Sequence, residues 1–256
     1  MLIDPSITVA KISNWEADLG VKLPKPLASL LATREALAHV ETEHEPVIDL
    51  ERLKPANAAD EVEAVARELS LKDQRFEAKR RIIAAINRRI LHAAADAVPE
   101  IIDQLRDPFA ASGSAYADAV AKLPADLNSD SIVRSGDPAT LAAFGTAVEA
   151  AQHLAVVDGW LAGLSHLPGH AAQAHPALRV TAPADYQQMH ALLTAHNNAG
   201  NADPLVREVG PVYLAAVRAG AGFEILTPAE SVELRQELEA AKPVSPAQKF
   251  LGIGRR

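Results

Sequence analysis

The 256-residue chain has no cysteine, and only 4% of it is aromatic. Without cysteine there is no disulfide framework, thiolate zinc site, iron–sulfur cluster or cysteine nucleophile. Glycine-rich phosphate loops and dinucleotide fingerprints are missing too; Gly252 and Gly254 stand alone at the C-terminus with no helix to follow. Gly163-Leu164-Ser165-His166-Leu167-Pro168-Gly169 has the wrong glycine spacing for a nucleophile elbow, and no strand precedes it. No apolar run approaches the roughly 20 residues of a membrane span, and the first residues lack a basic region followed by a long apolar one. The expectation is a protein made in the cytoplasm and not bound to a membrane.

Alanine and acid fill the space. The chain is rich in alanine, the best helix former, and carries a formal charge of -8. An acidic balance argues against a general nucleic-acid binder, which needs excess Lys and Arg to neutralise phosphates. Arginine outnumbers lysine 16 to 9, a bias that fits a GC-rich genome.

A repeated helix-start device divides the chain. A capping side chain precedes a proline at Asp107-Pro108, Asp137-Pro138, Asp203-Pro204 and Thr227-Pro228, with Asp4-Pro5 as a fifth instance. The cap oxygen satisfies an orphan N–H, and proline in the first turn loses no bond because its nitrogen would have had no partner there. Glu230 completes a capping box with Thr227, while Ser13 with Glu16 and Ser70 with Asp73 are weaker starts. These marks predict helices near 14–20, 25–44, 57–98, 99–106, 108–122, 138–164, 184–199, 204–219 and 228–241, the third and fourth readable as one kinked element. Gly20, Gly200 and Gly220 stand at expected helix ends, and Pro243 stops the last helix. Alternation at Leu178–Thr181 and Phe223–Leu226 allows a minor two-stranded β element.

The fold class expected is therefore all-α, a helical bundle or an elongated two-part protein with one long helix over about 57–98. Its organisation reads as an N-terminal helical region (1–123), a C-terminal helical region (138–242) and a tail (243–256). Turn formers at 123–137 mark the boundary.

The long helix carries the strongest pattern. Val62, Val65, Leu69, Lys72, Phe76, Lys79, Ile83, Ile86, Ile90, Ala93 and Ala97 recur at spacings of three and four, holding one seam on one face. A continuous helix over this stretch would be roughly 58 Å long at 1.5 Å per residue. Such a seam is buried either by helices of the same chain or by another molecule. The two lysines in its middle either mark a break near Ser70 or specify register and partner. Beside it, Lys72, Arg75, Lys79, Arg80, Arg81, Arg88 and Arg89 form a basic stripe, read as a solvated face or as a contact for an acidic partner.

Six of nine histidines fall between His153 and His196: His153, His166, His170, His175, His190 and His196. Histidine is the commonest metal ligand, but Pro168 and Gly169 separate His166 from His170 and spoil a shared helical face. His39, Glu41, Glu43, His44 and Glu45 form a second ligand-type run, with His39 and Glu43 four apart. The tail pairs apolar Phe250, Leu251 and Ile253 with basic Lys249, Arg255 and Arg256, suited to docking on a partner or folding back.

The reading that joins these features is a non-enzymatic structural or assembly protein without cofactor, acting through self-association and partner binding. Its contacts are Val62, Val65, Leu69, Phe76, Ile83, Ile86, Ile90, Arg81, Arg88, Arg89, Phe250 and Leu251. One alternative is a helical metal-dependent enzyme using His153, Asp158, His166, His170 and His190; another is an accessory DNA-binding factor using the Lys72–Arg89 stripe. In general style the cysteine-free, alanine-rich chain, with its long charged helix and basic tail, resembles helical assembly or virion proteins of phages that infect GC-rich bacteria.

Overall fold

The computed structural model describes residues 4–42, 58–131 and 136–243, apart from the side chains of Lys72 and Asp73. The fold is all-α. Its helices are α1 (Pro5–Ile12), α2 (Trp15–Leu19), α3 (Lys25–Ala38), α4 (Ala58–Val120), α5 (Pro138–Leu164), α6 (Tyr186–Asn198), α7 (Pro204–Val209), α8 (Pro211–Ala219) and α9 (Pro228–Ala240). Strands β1 (Thr181–Ala182) and β2 (Gly222–Phe223) pair antiparallel, Thr181 opposite Phe223. The Leu226 and Glu224 amides extend that pairing by donating to the Arg179 and Val180 carbonyls.

Four of the five Xaa-Pro starts open helices as expected. Asp4 accepts from the Ser6 amide, Asp137 from Ala139 and Thr140, and Asp203 from Leu205. Thr227 and Glu230 form the reciprocal capping box, with N–H to oxygen distances of 3.3 and 2.8 Å. Asp107-Pro108 is the exception, because α4 runs through both Pro99 and Pro108 without ending. A proline inside a helix costs on the order of 3 kcal/mol. The side chains flanking these two, Val98, Ile101, Leu105 and Phe109, are all buried, at roughly 1.5–3 kcal/mol for each large one. Packing of that face outweighs the lost backbone bonds, so the separate helices expected at 99–106 and 108–122 belong to α4.

Other expected boundaries move as well. Ser13 closes α1 instead of opening α2, its hydroxyl donating to the Ala10 carbonyl at 2.8 Å. No break occurs at Ser70. The helix expected over 204–219 is divided at Gly210, whose φ of 81° is glycine territory, and Pro211 restarts the chain as α8. Gly220 terminates α8 in the left-handed conformation, whereas Gly200 sits in a 3-10 turn with no positive φ.

The chain divides into two compact units, Met1–Trp15 with Lys22–Ala97, and Glu16–Val21 with Val98–Arg256. In the first, Val9, Ile12, Leu27, Ile90, Ala94 and Ala97 are buried. A polar chain crosses it: Arg34 donates from Nε to Asn87 Oδ1 at 2.8 Å, and Asn87 Nδ2 donates to Ser6 Oγ at 3.3 Å. In the second, α6 packs on α8 and α9, and Leu178, Met189, Leu192, Ala216 and Leu238 share one apolar cluster. Tyr116, Tyr213 and Phe223 meet edge to face, with ring centroids 5.7–6.2 Å apart. The buried Tyr116 hydroxyl donates to the Val209 carbonyl at 2.7 Å. Burial of this ring pushes its phenol well above the ordinary value.

α5 is long and apolar enough, by length and composition, to cross a membrane. It exceeds the sequence expectation because alanines, leucines and valines raise its mean hydropathy without forming an unbroken apolar run. Its buried side chains include Leu154, Val157, Trp160, Leu161 and Leu164, and Asp158 within it holds an ion pair with Arg179.

Candidate functional site

The seam on α4 changes character along its length. Ile90 and Ala97 are buried, and Ile83 and Ile86 are half-buried, so this part supplies core to the first unit. Toward the N-terminus the same heptad positions emerge: Phe76 is 58% exposed, Leu69 48% and Val62 69%. Val65 is half-buried, and Leu71 and Ile82 add exposed apolar surface beside the seam. Apolar residues repeating every seven positions on an exposed helix face are the pattern that a second helix covers by knobs-into-holes packing.

Of the two lysines in the seam, Lys79 has a structural assignment. Its ammonium donates to the carbonyls of Ala38 at 3.0 Å and Val40 at 2.7 Å. These carbonyls lie at the C-terminal end of α3, where partial negative charge collects and a cation satisfies otherwise orphan acceptors. Lys79 therefore marks where α3 leaves α4. A shallow groove beside it is lined by Ser6, Phe76, Arg80, Ile83 and Asn87, so Phe76 borders both the packed and the open parts of the helix.

The basic stripe is narrower than its composition suggests. Arg80 donates to both Glu77 oxygens at 2.8 and 3.1 Å, and Arg81 donates to the same carboxylate at 2.6 Å. Hydrogen bonds from the two guanidinium groups lower the Glu77 pKa to about 2. With Lys79 engaged by α3, Arg75, Arg88 and Arg89 are, among the described side chains of the stripe, the exposed cations outside these contacts.

The described histidines do not gather at one site. Among the described residues no three His, Asp or Glu side chains are placed to hold a metal ion. His153 and His166 are exposed, and His170 borders a groove of about 430 Å³ lined also by Ile102, Phe109, Phe223 and Ile225. His190 lies beside the Tyr186 ring, centroids 6.1 Å apart. Asp158 is held by Arg179, at 2.6 and 3.1 Å, and is not joined to the histidines proposed alongside it. His39 pairs with Glu35 at 3.1 Å, one turn earlier on α3, while Glu43, His44 and Glu45 lie outside the described residues, as do Phe250 and Leu251 of the tail.

His175 and His196 do meet, edge to face at 5.1 Å. His175 Nδ1 accepts from the Ala177 amide, capping the 3-10 turn at Pro176–Leu178. Burial, and then the neighbouring His196, Arg235 and Arg179, lowers its pKa below the usual 6.5. This is a capping arrangement whose acceptor nitrogen must stay unprotonated.

Sequence spacing did not identify the long-range polar contacts Arg179–Asp158, Arg34–Asn87 and Lys79–Val40. Each joins residues too far apart in sequence for any periodic signal. Comparison of the chain with protein-family models, curated proteins and solved structures finds no match.

Proposed function

We propose that this protein is a non-enzymatic helical assembly component that joins copies of itself through the N-terminal half of α4. The observation that carries the reading is the exposure of Val62, Leu69 and Phe76 at heptad spacing, on a seam whose continuation at Ile90 and Ala97 is buried. One amphipathic pattern serves two purposes. Its C-terminal part builds the first unit, and its N-terminal part is left for a helix from a second copy. The compositional likeness to phage assembly and virion proteins supports a particle or its assembly as the setting.

Covering each of these side chains is worth on the order of 1–2 kcal/mol, against a substantial cost of association. Micromolar rather than nanomolar pairing is therefore expected. Size exclusion with light scattering tests it. At tens of micromolar the protein should run as a dimer or larger species, against a chain mass of 27.1 kDa. The double variant Leu69→Glu/Phe76→Glu should run as a monomer with unchanged helicity. A wild-type monomer under those conditions overturns the reading.

A further inference from the structure

The heptad positions also fix an orientation, and we infer that two copies pair antiparallel through α4, with Glu68 of each copy facing Arg75 of the other. This inference rests on the self-association reading and adds to it the direction of the partner helix. Setting Val62, Leu69 and Phe76 at position a places Val65, residue 72 and Lys79 at position d, and makes Glu68 and Arg75 successive g positions. Both g side chains are exposed. Charge is unevenly spread along this stretch: Asp60, Glu61, Glu63 and Glu68, interrupted by Arg67, lie toward its start, and Lys72, Arg75, Lys79, Arg80 and Arg81, interrupted by Asp73 and Glu77, toward its end.

In a parallel, in-register pair, position a faces a and d faces d, so lysine 72 would oppose its own copy across the seam. Each g residue would also meet the e residue five positions on in the partner. That sets Glu68 against Asp73 and Arg75 against Arg80, each a like-charge contact made twice. An antiparallel pair instead sets a against d and g against g. Pairing residue 65 with 76 packs Val65 on Phe76 twice, places Leu69 rather than lysine opposite position 72, and brings Glu68 to Arg75 twice. The mainly acidic part of each helix then lies along the mainly basic part of the other. Complementary charge, not apolar content alone, selects this arrangement.

Charge reversal reads the orientation directly. In an antiparallel pair, Glu68→Arg or Arg75→Glu alone weakens self-association by about tenfold, since two exposed pairs turn from attractive to repulsive, and the double exchange Glu68→Arg/Arg75→Glu restores it. A parallel pair responds in the opposite sense, because each single change removes a like-charge contact and tightens association. The absence of cysteine permits a second readout. Under oxidising conditions Val62→Cys should form no disulfide-linked dimer, because the two positions lie at opposite ends of the paired segment. Tightening by either single exchange, no effect of the exchanges on a wild-type dimer, or efficient cross-linking of Val62→Cys overturns the antiparallel arrangement while leaving self-association standing. A wild-type protein that stays monomeric overturns both.

Discussion

Arg179 grips Asp158 with two hydrogen bonds, Nε to Oδ1 at 2.6 Å and Nη2 to Oδ2 at 3.1 Å, with side chains only 15% and 21% exposed. The pair ties the segment entering β1 to the C-terminal part of α5. Arg179 also presents its carbonyl to the Leu226 amide, so the same residue anchors the end of the small sheet. A planar guanidinium suits this two-pronged contact, and lysine, a point charge on a flexible stem, does not. Removing one partner leaves a largely buried charge without its counter-ion. Arg179→Ala is expected to destabilise the protein by about 2–4 kcal/mol, and Arg179→Lys to recover less than half of that loss. Urea unfolding followed by circular dichroism measures both.

The capping box at the start of α9 gives a smaller, cleaner effect. Thr227→Ala removes the acceptor for the Glu230 amide but leaves the backbone free to keep its course. The expected cost is about 1 kcal/mol. Thr227→Ser, which keeps the oxygen, should lie within a few tenths of wild type. Thermal unfolding of the three proteins side by side checks the order.

That box was visible in the sequence because caps are local: Thr227 and Glu230 are three residues apart, and proline fixes the frame between them. The same locality explains Asp4, Asp137 and Asp203. It also explains the failure at Asp107, where the local signal for a helix start was sound but Leu105 and Phe109 are buried and hold α4 together. The seam was legible as a period, and the period alone left open which stretch of it the chain covers. Deciding that takes the position of α3, fixed by Lys79 at Ala38 and Val40. The histidines misled for a related reason. Clustering in sequence is not convergence in space, and the turns after α5 send His166, His170 and His175 to different surroundings.

Acid should weaken the protein through His175. Its Nδ1 accepts a backbone N–H, and burial together with nearby Arg235 and Arg179 opposes a positive charge on the ring. The folded-state pKa is therefore below the unfolded value of about 6.5. Between the two values the unfolded chain binds more protons, so stability rises with pH there. The contribution is intact above pH 6.5 and is lost as pH falls through the folded pKa. His175→Asn, which offers a side-chain oxygen as the cap acceptor without titrating, should flatten the dependence of the unfolding midpoint between pH 6.5 and 5. A wild-type midpoint that rises as pH drops over this interval, and does so only when His175 is present, would contradict this assignment.

Among the described glycines, Gly210 leaves the least room for a side chain. It joins α7 to α8 with φ at 81°, and a Cβ built there would lie 2.6 Å from Cδ2 of the Tyr213 ring. Tyr213 has little room to retreat, because its ring meets both Tyr116 and Phe223 edge to face. Alanine at 210 thus meets two penalties, a backbone region that L-residues avoid and an overlap with a packed ring. Together they should cost about 2–4 kcal/mol. Shortening the neighbour separates them. Tyr213→Ala removes the overlap, so adding Gly210→Ala to that variant should cost only the backbone share, about 1–2 kcal/mol. A double-mutant cycle on unfolding free energies measures the difference. Equal costs in the two backgrounds would show that the ring overlap contributes nothing, and that the left-handed backbone alone requires glycine.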